Sequence, residues 1–246
     1  MTLYTQKMMN NMKTIQTNKL KFSTEPNTKL TKINKWHDGF FKPVVLSFWL
    51  PSGYTCPSAN ECQTWFSPKL RKIKDGNNQT FRCFSASLEA RLGVGKMVWH
   101  NFNLINPIRH DYKKLAKLIL DSLRDYPKPD YVRIHIGGDF YTADYFKAWC
   151  YVADWLSNDG ITFYAYTKEL ATVKSFHMLI PSNLKLTLSK GGKHDNLINK
   201  MNIKVAEVVT SENDTELPID YNEFHAINTD DDFALVVHGT QPKSPL

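Results

Sequence analysis

Between Tyr131 and Val237, short apolar runs alternate with stretches of helical period, and this alternation narrows the fold more than any other feature of the chain. Tyr131–Ile136, Ile161–Tyr166, Leu184–Ser189, Val205–Thr210 and Phe233–Val237 have the length and the β-branched and aromatic content of buried strands. Between them, residues 143–157 carry Tyr145, Trp149, Val152 and Leu156 on one helical stripe. Residues 169–177 and 195–201 read as shorter helices. Upstream, Val44–Leu50 reads as a further strand, ended by Pro51-Ser52-Gly53. Residues 111–125 read as an amphipathic helix through Tyr112, Leu115, Ile119 and Leu123, stopped by Pro127 and Pro129. Six strands alternating with helices imply a parallel sheet with right-handed crossovers. The expected fold is α/β: a parallel sheet forming a partial (β/α)6 barrel, with an open doubly wound sheet as the alternative. Both put the working surface at the carboxyl ends of the strands.

The rest of the composition removes several classes. With 246 residues, 42% of them apolar, the chain can bury a sizeable core. No apolar run approaches the roughly 20 residues that span a bilayer. The Lys-rich start lacks the apolar core of a secretory signal, so a cytoplasmic protein is expected. The net charge is +7, but residues 1–42 hold eight Lys against Glu25 and Asp38, which places +6 there. The remainder is almost neutral and has no broad basic face for nucleic acid. Residues 1–42 are therefore expected to be a flexible, solvated leader, with an arm that touches nucleic acid or an acidic partner as the sharper alternative. Residues 43–246 are expected to form one domain, whose partner is an unspecified protein or small molecule.

Polar and Gly-rich residues gather after the predicted strands. The long stretch 52–82, expected to be irregular, carries Cys56 and Cys62, and Cys83 follows it. Loops of this length are uncommon without a function. Thiolates select zinc, copper(I) or iron–sulfur clusters. Closed zinc sites use C-x2–4-C pairs and four ligands, whereas this spacing is C-x5-C-x20-C. Three cysteines with no obvious fourth ligand point to an iron–sulfur cluster with one iron open or differently ligated. Zinc completed by a histidine stays as the alternative. Cys150 falls in the apolar surroundings of a helix stripe and reads as core. Gly137-Gly138-Asp139 lets backbone approach a ligand while a carboxylate accepts from an ammonium group, and equally describes a tight turn into a helix. His135 reads as sharing a face with Arg133, either toward a site or as a core histidine. Residues 189–195 read as an anion-binding turn or a solvated one.

The motifs Tyr54-Thr55-Cys56-Pro57, Arg82-Cys83-Phe84, Arg133-Ile134-His135-Ile136-Gly137-Gly138-Asp139-Phe140, Tyr164-Ala165-Tyr166-Thr167-Lys168 and His238-Gly239-Thr240-Gln241-Pro242 resemble the phage-encoded gene product 88-like proteins. The resemblance runs from about Val44 to Pro242. It implies a bacteriophage source, and hence the host cytoplasm or the virion. The layout more distantly resembles radical S-adenosylmethionine enzymes, whose partial barrel holds a 4Fe-4S cluster on three cysteines after the first strand. That likeness implies cluster positions at Cys56, Cys62 and Cys83. It also implies an S-adenosylmethionine position at Gly137, Gly138 and Asp139. The cysteine spacing departs from the usual C-x3-C-x2-C. The expected function is a phage iron–sulfur protein with catalysis left open; the alternative is a zinc- or cluster-stapled virion or host-modulating protein.

Overall fold

A computed structural model describes residues 18–24, 32–33 and 42–241. In chain order the strands are β1 (Val45–Ser47), β2 (Thr64–Ser67), β3 (Lys72–Asp75), β4 (Tyr131–Ile134), β5 (Thr162–Thr167), β6 (Leu184–Ser189), β7 (Val205–Val209) and β8 (Phe233–Val236). The α-helices are α1 (Phe84–Glu89), α2 (Leu92–Ile105), α3 (Tyr112–Leu123), α4 (Ala143–Trp155), α5 (Leu170–Phe176) and α6 (Phe224–Asn228). All strands but β2 and β3 join one parallel sheet in the order β1-β4-β5-β6-β7-β8, curved into a half-barrel as the alternation predicts. Ser47, Arg133, Tyr164 and Lys185 stand in register across its first four strands. The ladder outlasts β1: Phe48 N–H donates to Arg133 O and Leu50 N–H to Gly137 O, each at 2.9 Å.

Two apolar layers hold the sheet. On the helix-covered side, Leu46, Val132, Ile134, Phe163 and Leu186 pack on Leu115 and Ile119 of α3 and on Phe146 and Trp149 of α4. These helices start where the sequence provides caps. Asp111 accepts from Lys114 N–H at 3.1 Å, and Thr142 from Tyr145 N–H at 3.2 Å. On the other side, Trp49, Ile136, Tyr164 and Phe233 pack with Val98 of α2 and Ile227 of α6. Arg133 projects to that side too. It pairs with the buried Glu223 and lies 5.2 Å from the Tyr166 ring centroid.

Three expectations need correction. The leader is not wholly solvated: most of it lies outside the described residues, but the part that is described is packed. Leu20 and Phe22 are buried, and Phe22 meets Phe48, Tyr126 and Trp149. Ser23 pairs both ways with Ser47, covering the free edge of β1. Ile33 is fully buried in the second layer. Three apolar residues without a helical or strand period gave no signal of this in the sequence.

Residues 52–82 are not irregular throughout, because β2 and β3 form an antiparallel hairpin with Thr64 opposite Asp75. Its second strand, Lys72-Ile73-Lys74-Asp75, is exposed and charged, so it lacks the apolar run that marks a strand. His135 does not share Arg133's face. Its backbone is left-handed (φ 66°), which breaks the two-residue alternation. His135 therefore meets Phe140 and the Tyr145 hydroxyl on the helix side, while Ile136 joins the opposite layer.

Candidate functional site

The carboxyl ends of β1, β4, β5 and β6 meet at one edge of the half-barrel, and the cysteine loop lies across them. Leaving β1, the chain turns at Gly53, in the left-handed region at φ 73°. A side chain there would lie 2.7 Å from Thr64 O. Thr55 N–H and Oγ1 both donate to Pro51 O, and Cys56 N–H to Gly53 O, which closes the loop on itself. Residues 58–61 then cross to the far strands. Ser58 donates through N–H and Oγ to the two oxygens of Glu169, both at 2.8 Å. Asn60 and Glu61 N–H donate to Gly191 O, and Lys193 N–H to Ser58 O.

The hairpin explains the long cysteine spacing. Gln63 O accepts from Gly76 N–H at 2.7 Å, so the chain leaves and returns at nearly the same place. Arg82 holds Asp75 with two bonds, at 3.0 and 2.5 Å. Thr64 Oγ1 donates to Gln79 and accepts from Cys83 N–H at 3.1 Å. Cys83, twenty-one residues after Cys62, thus returns beside the residue two after Cys62, and immediately precedes α1. From the other end of the chain, Gln241 accepts from Arg82 N–H and donates to Arg82 O. Gly239 packs so closely on Phe84 that a Cβ would lie 2.8 Å from the Phe84 Cβ.

Cys56, Cys62 and Cys83 are unpaired and half-buried. Burial pushes each thiol up, and two of them, Cys56 and Cys83, also feel another cysteine. Cys56 is raised well above the ordinary range by burial, then by Asp139, Cys83 and Cys62. Cys62 is raised by burial and Asp139, with Lys168 pulling the other way. Cys83 is pushed up to about 12 by burial and by Cys62. The structure therefore brings the three predicted residues into one neighbourhood. Among the described residues, however, no group of three or more His, Cys, Asp or Glu side chains is placed to hold a metal ion. Cys150 stands apart, buried in α4.

Gly137, Gly138 and Asp139 lie against this loop, and protein groups occupy their surroundings. A Cβ on Gly138 (φ 89°) would lie 2.6 Å from Thr55 Oγ1, and one on Gly137 would overlap Ser85 Oγ. The close approach the glycines permit is to the cysteine loop and α1. Asp139 N–H donates to Thr55 O at 2.9 Å. Its buried carboxylate accepts from Thr167 Oγ1 (2.6 Å), Phe140 N–H (2.7 Å) and Lys168 N–H (2.8 Å). Burial and Glu169 nevertheless raise it to about 7, against those donors. Asp139 ties β4 to β5, and the ammonium role implied for it meets a carboxylate that protein donors already hold. In the 189–195 turn, Gly191 and Gly192 N–H donate to Asp195, so these two amides are engaged within the turn.

Glu89 carries no signal in the sequence. It is buried at the end of α1, and Oε1 accepts from Ser52 N–H at 2.6 Å. Oε2 has no hydrogen-bond partner. Burial raises this carboxyl to about 7. Its charge acts on Cys83. Beside it, Ser52 Oγ donates to Ser85 Oγ at 2.8 Å.

Comparison with known proteins agrees with the motif resemblance. The Gene product 88 family matches residues 7–244. The Gene 88 protein of Mycobacterium phage D29 is 30% identical over 154 residues, 59% of this chain and 57% of that protein. The Gene 88 protein of Mycobacterium phage L5 is 28% identical over 154 residues, with the same two shares. The chain thus spans little more than half the length of these relatives. No solved structure matches the chain, and the likeness to radical S-adenosylmethionine enzymes gains no support here. No helix among the described residues is long and apolar enough to cross a membrane. With almost its whole length matched, the chain belongs to the Gene product 88 family of bacteriophage proteins.

Proposed function

We propose that the protein binds an iron–sulfur cluster of the 4Fe-4S type through Cys56, Cys62 and Cys83. The observation that carries this reading is the convergence of three cysteines free of disulfides at the carboxyl edge of the half-barrel, with Cys56 in the field of Cys62 and Cys83, and Cys83 in that of Cys62. The donor set is all sulfur, which suits iron–sulfur clusters and zinc alike. The spacing C-x5-C-x20-C lacks the C-x2–4-C pair of closed zinc sites, which favours the cluster.

The protein's own residues would shape such a site in three ways. The β2–β3 hairpin delivers Cys83 beside Cys62, and the Ser58–Glu169 and Asn60–Gly191 bonds fix the loop against the sheet. Gly137 and Gly138 let the turn after β4 approach the cysteine loop and α1 closely. Lys168, whose charge favours the Cys62 thiolate, sits on the same edge. A bound cluster would supply one-electron chemistry. The half-buried sulfurs would limit its contact with water.

Anaerobic reconstitution with iron and sulfide, followed by optical absorption and analysis for iron, sulfide and zinc, tests the reading. The expected result is broad visible absorption with iron and sulfide in equal amounts, about four of each per chain. A protein that takes up zinc alone, or no metal, contradicts it.

A further inference from the structure

We propose that the concave side of the half-barrel holds an oxyanion site, formed by Arg133, Tyr164, Lys185 and Thr187, that takes the carboxylate or phosphate group of a small molecule. This site is independent of the cluster reading above.

Three observations carry it. First, these side chains share one face of three successive strands. Arg133, Tyr164 and Lys185 stand in one row across β4, β5 and β6, and Thr187 follows Lys185 by two residues. Leu184, Leu186 and Leu188 take the helix-covered side, so Lys185 and Thr187 face the other. Arg133 Cζ lies 5.9 Å from the Tyr164 ring centroid. Second, Arg133 Nε, the Tyr164 hydroxyl and Thr187 Oγ1 have no hydrogen-bond partner, although Arg133 is only 7% exposed and the other two are fully buried. Buried polar atoms left in this way are costly unless something meets them. Third, the protein's own carboxylates are used up elsewhere. Glu223 gives its two oxygens to Arg133 Nη1 and to the Tyr166 hydroxyl. It does so from a left-handed backbone (φ 64°), a conformation its surroundings must enforce. Asp220, in the same segment, is held by Asn222 and Ala226 N–H. Lys185 pairs with no carboxylate among the described residues. Arg133 Nε and Lys185 only donate, and both hydroxyls can donate. The matching group therefore carries negative charge and several acceptor oxygens on one centre. A guanidinium takes such a group along an edge, and Glu223, bonded at Nη1, leaves the Nε edge open.

The full-length wild type, Tyr164→Phe and Lys185→Gln are titrated with inorganic phosphate and, separately, with acetate, at constant ionic strength and with chloride as the control. Calorimetry and melting temperature are the readouts. The wild type should bind phosphate or acetate saturably, at one per chain, and melt higher when it is bound. The anion that binds tells a phosphate ligand from a carboxylate one. Tyr164→Phe keeps the ring and loses only the unmatched hydroxyl. Without anion it should melt no lower than wild type, and it should bind the anion about 10-fold or more weakly. Lys185→Gln should weaken binding by a similar factor. A wild type that binds neither anion saturably overturns the proposal. So does binding that both variants leave unchanged, because the anion then sits elsewhere, such as on the Lys-rich residues 1–42. If Tyr164→Phe does not fold, unchanged binding by Lys185→Gln overturns it.

Discussion

His135 is held between Phe140 and Tyr145 with one ring nitrogen bonded to the Tyr145 hydroxyl and the other without a partner. Burial alone lowers it to about 3. The sign follows directly. Below about pH 6.5 the unfolded chain takes up a proton that the folded chain refuses until about pH 3, so stability falls as pH drops across that window. The loss approaches 1.4 kcal/mol per pH unit. Glu89 and Asp139, raised to about 7, act oppositely and are present in any His135 variant. The difference between wild type and His135→Asn, read by urea unfolding from pH 7 to pH 4.5, should therefore shrink steadily as pH falls. A constant difference removes His135 from the acid limb. Gly138 and Gly160 separate strain from crowding. Both have positive φ, but a Cβ at Gly160 meets nothing within 4 Å, while one at Gly138 presses on Thr55 and Leu50. Gly160→Ala should cost about 1–2 kcal/mol. Gly138→Ala should cost at least about 1 kcal/mol more, since overpacking adds its own term. Equal losses in thermal melting would mean that the turn is not pressed against the cysteine loop.

The elements most legible in the sequence are those that bury one face. The stripe Leu115, Ile119 and Leu123 gave α3, and the apolar runs gave β4 to β8 to within two residues at either end. The β2–β3 hairpin was illegible because β2 has only four residues, Thr64-Trp65-Phe66-Ser67, and β3 is exposed and charged rather than apolar. The position of Glu89 was illegible because its meaning lies in a contact with Ser52, thirty-seven residues away. The three cysteines were legible by type, but their proximity was not, since it depends on the hairpin. Thr64 is the residue through which the hairpin acts on Cys83. Thr64→Val keeps the shape but leaves Cys83 N–H and Gln79 without their partner. We expect a loss of about 1–3 kcal/mol and weaker iron retention, although all three thiols remain. Iron retention equal to wild type after equal reconstitution would show that the hairpin does not place Cys83.

At the scale of the whole molecule, the packed unit begins before residue 43. A chain starting at residue 43 loses the buried Leu20 and Phe22 and uncovers the edge of β1. At about 1.5–3 kcal/mol per buried side chain, the two together contribute about 3–6 kcal/mol, against a total of about 5–15 for a typical domain. The truncated chain should melt without cooperativity or far below the full chain; an unchanged melting temperature contradicts that packing. The half-barrel, in turn, is organised around its carboxyl edge. Ser58, Asp139, Lys168 and Gly191 there bind the cysteine loop to three successive strands. The division of labour among the four cysteines is measured most directly by iron content after anaerobic reconstitution of the four single Cys→Ser variants. Cys56→Ser, Cys62→Ser and Cys83→Ser should each lose most of the iron, because a hydroxyl is a poor substitute for a soft thiolate. Cys150→Ser should keep it, at a stability loss of about 1–3 kcal/mol for burying a hydroxyl. Full iron in any of the first three variants, or iron loss confined to Cys150→Ser, would contradict the account.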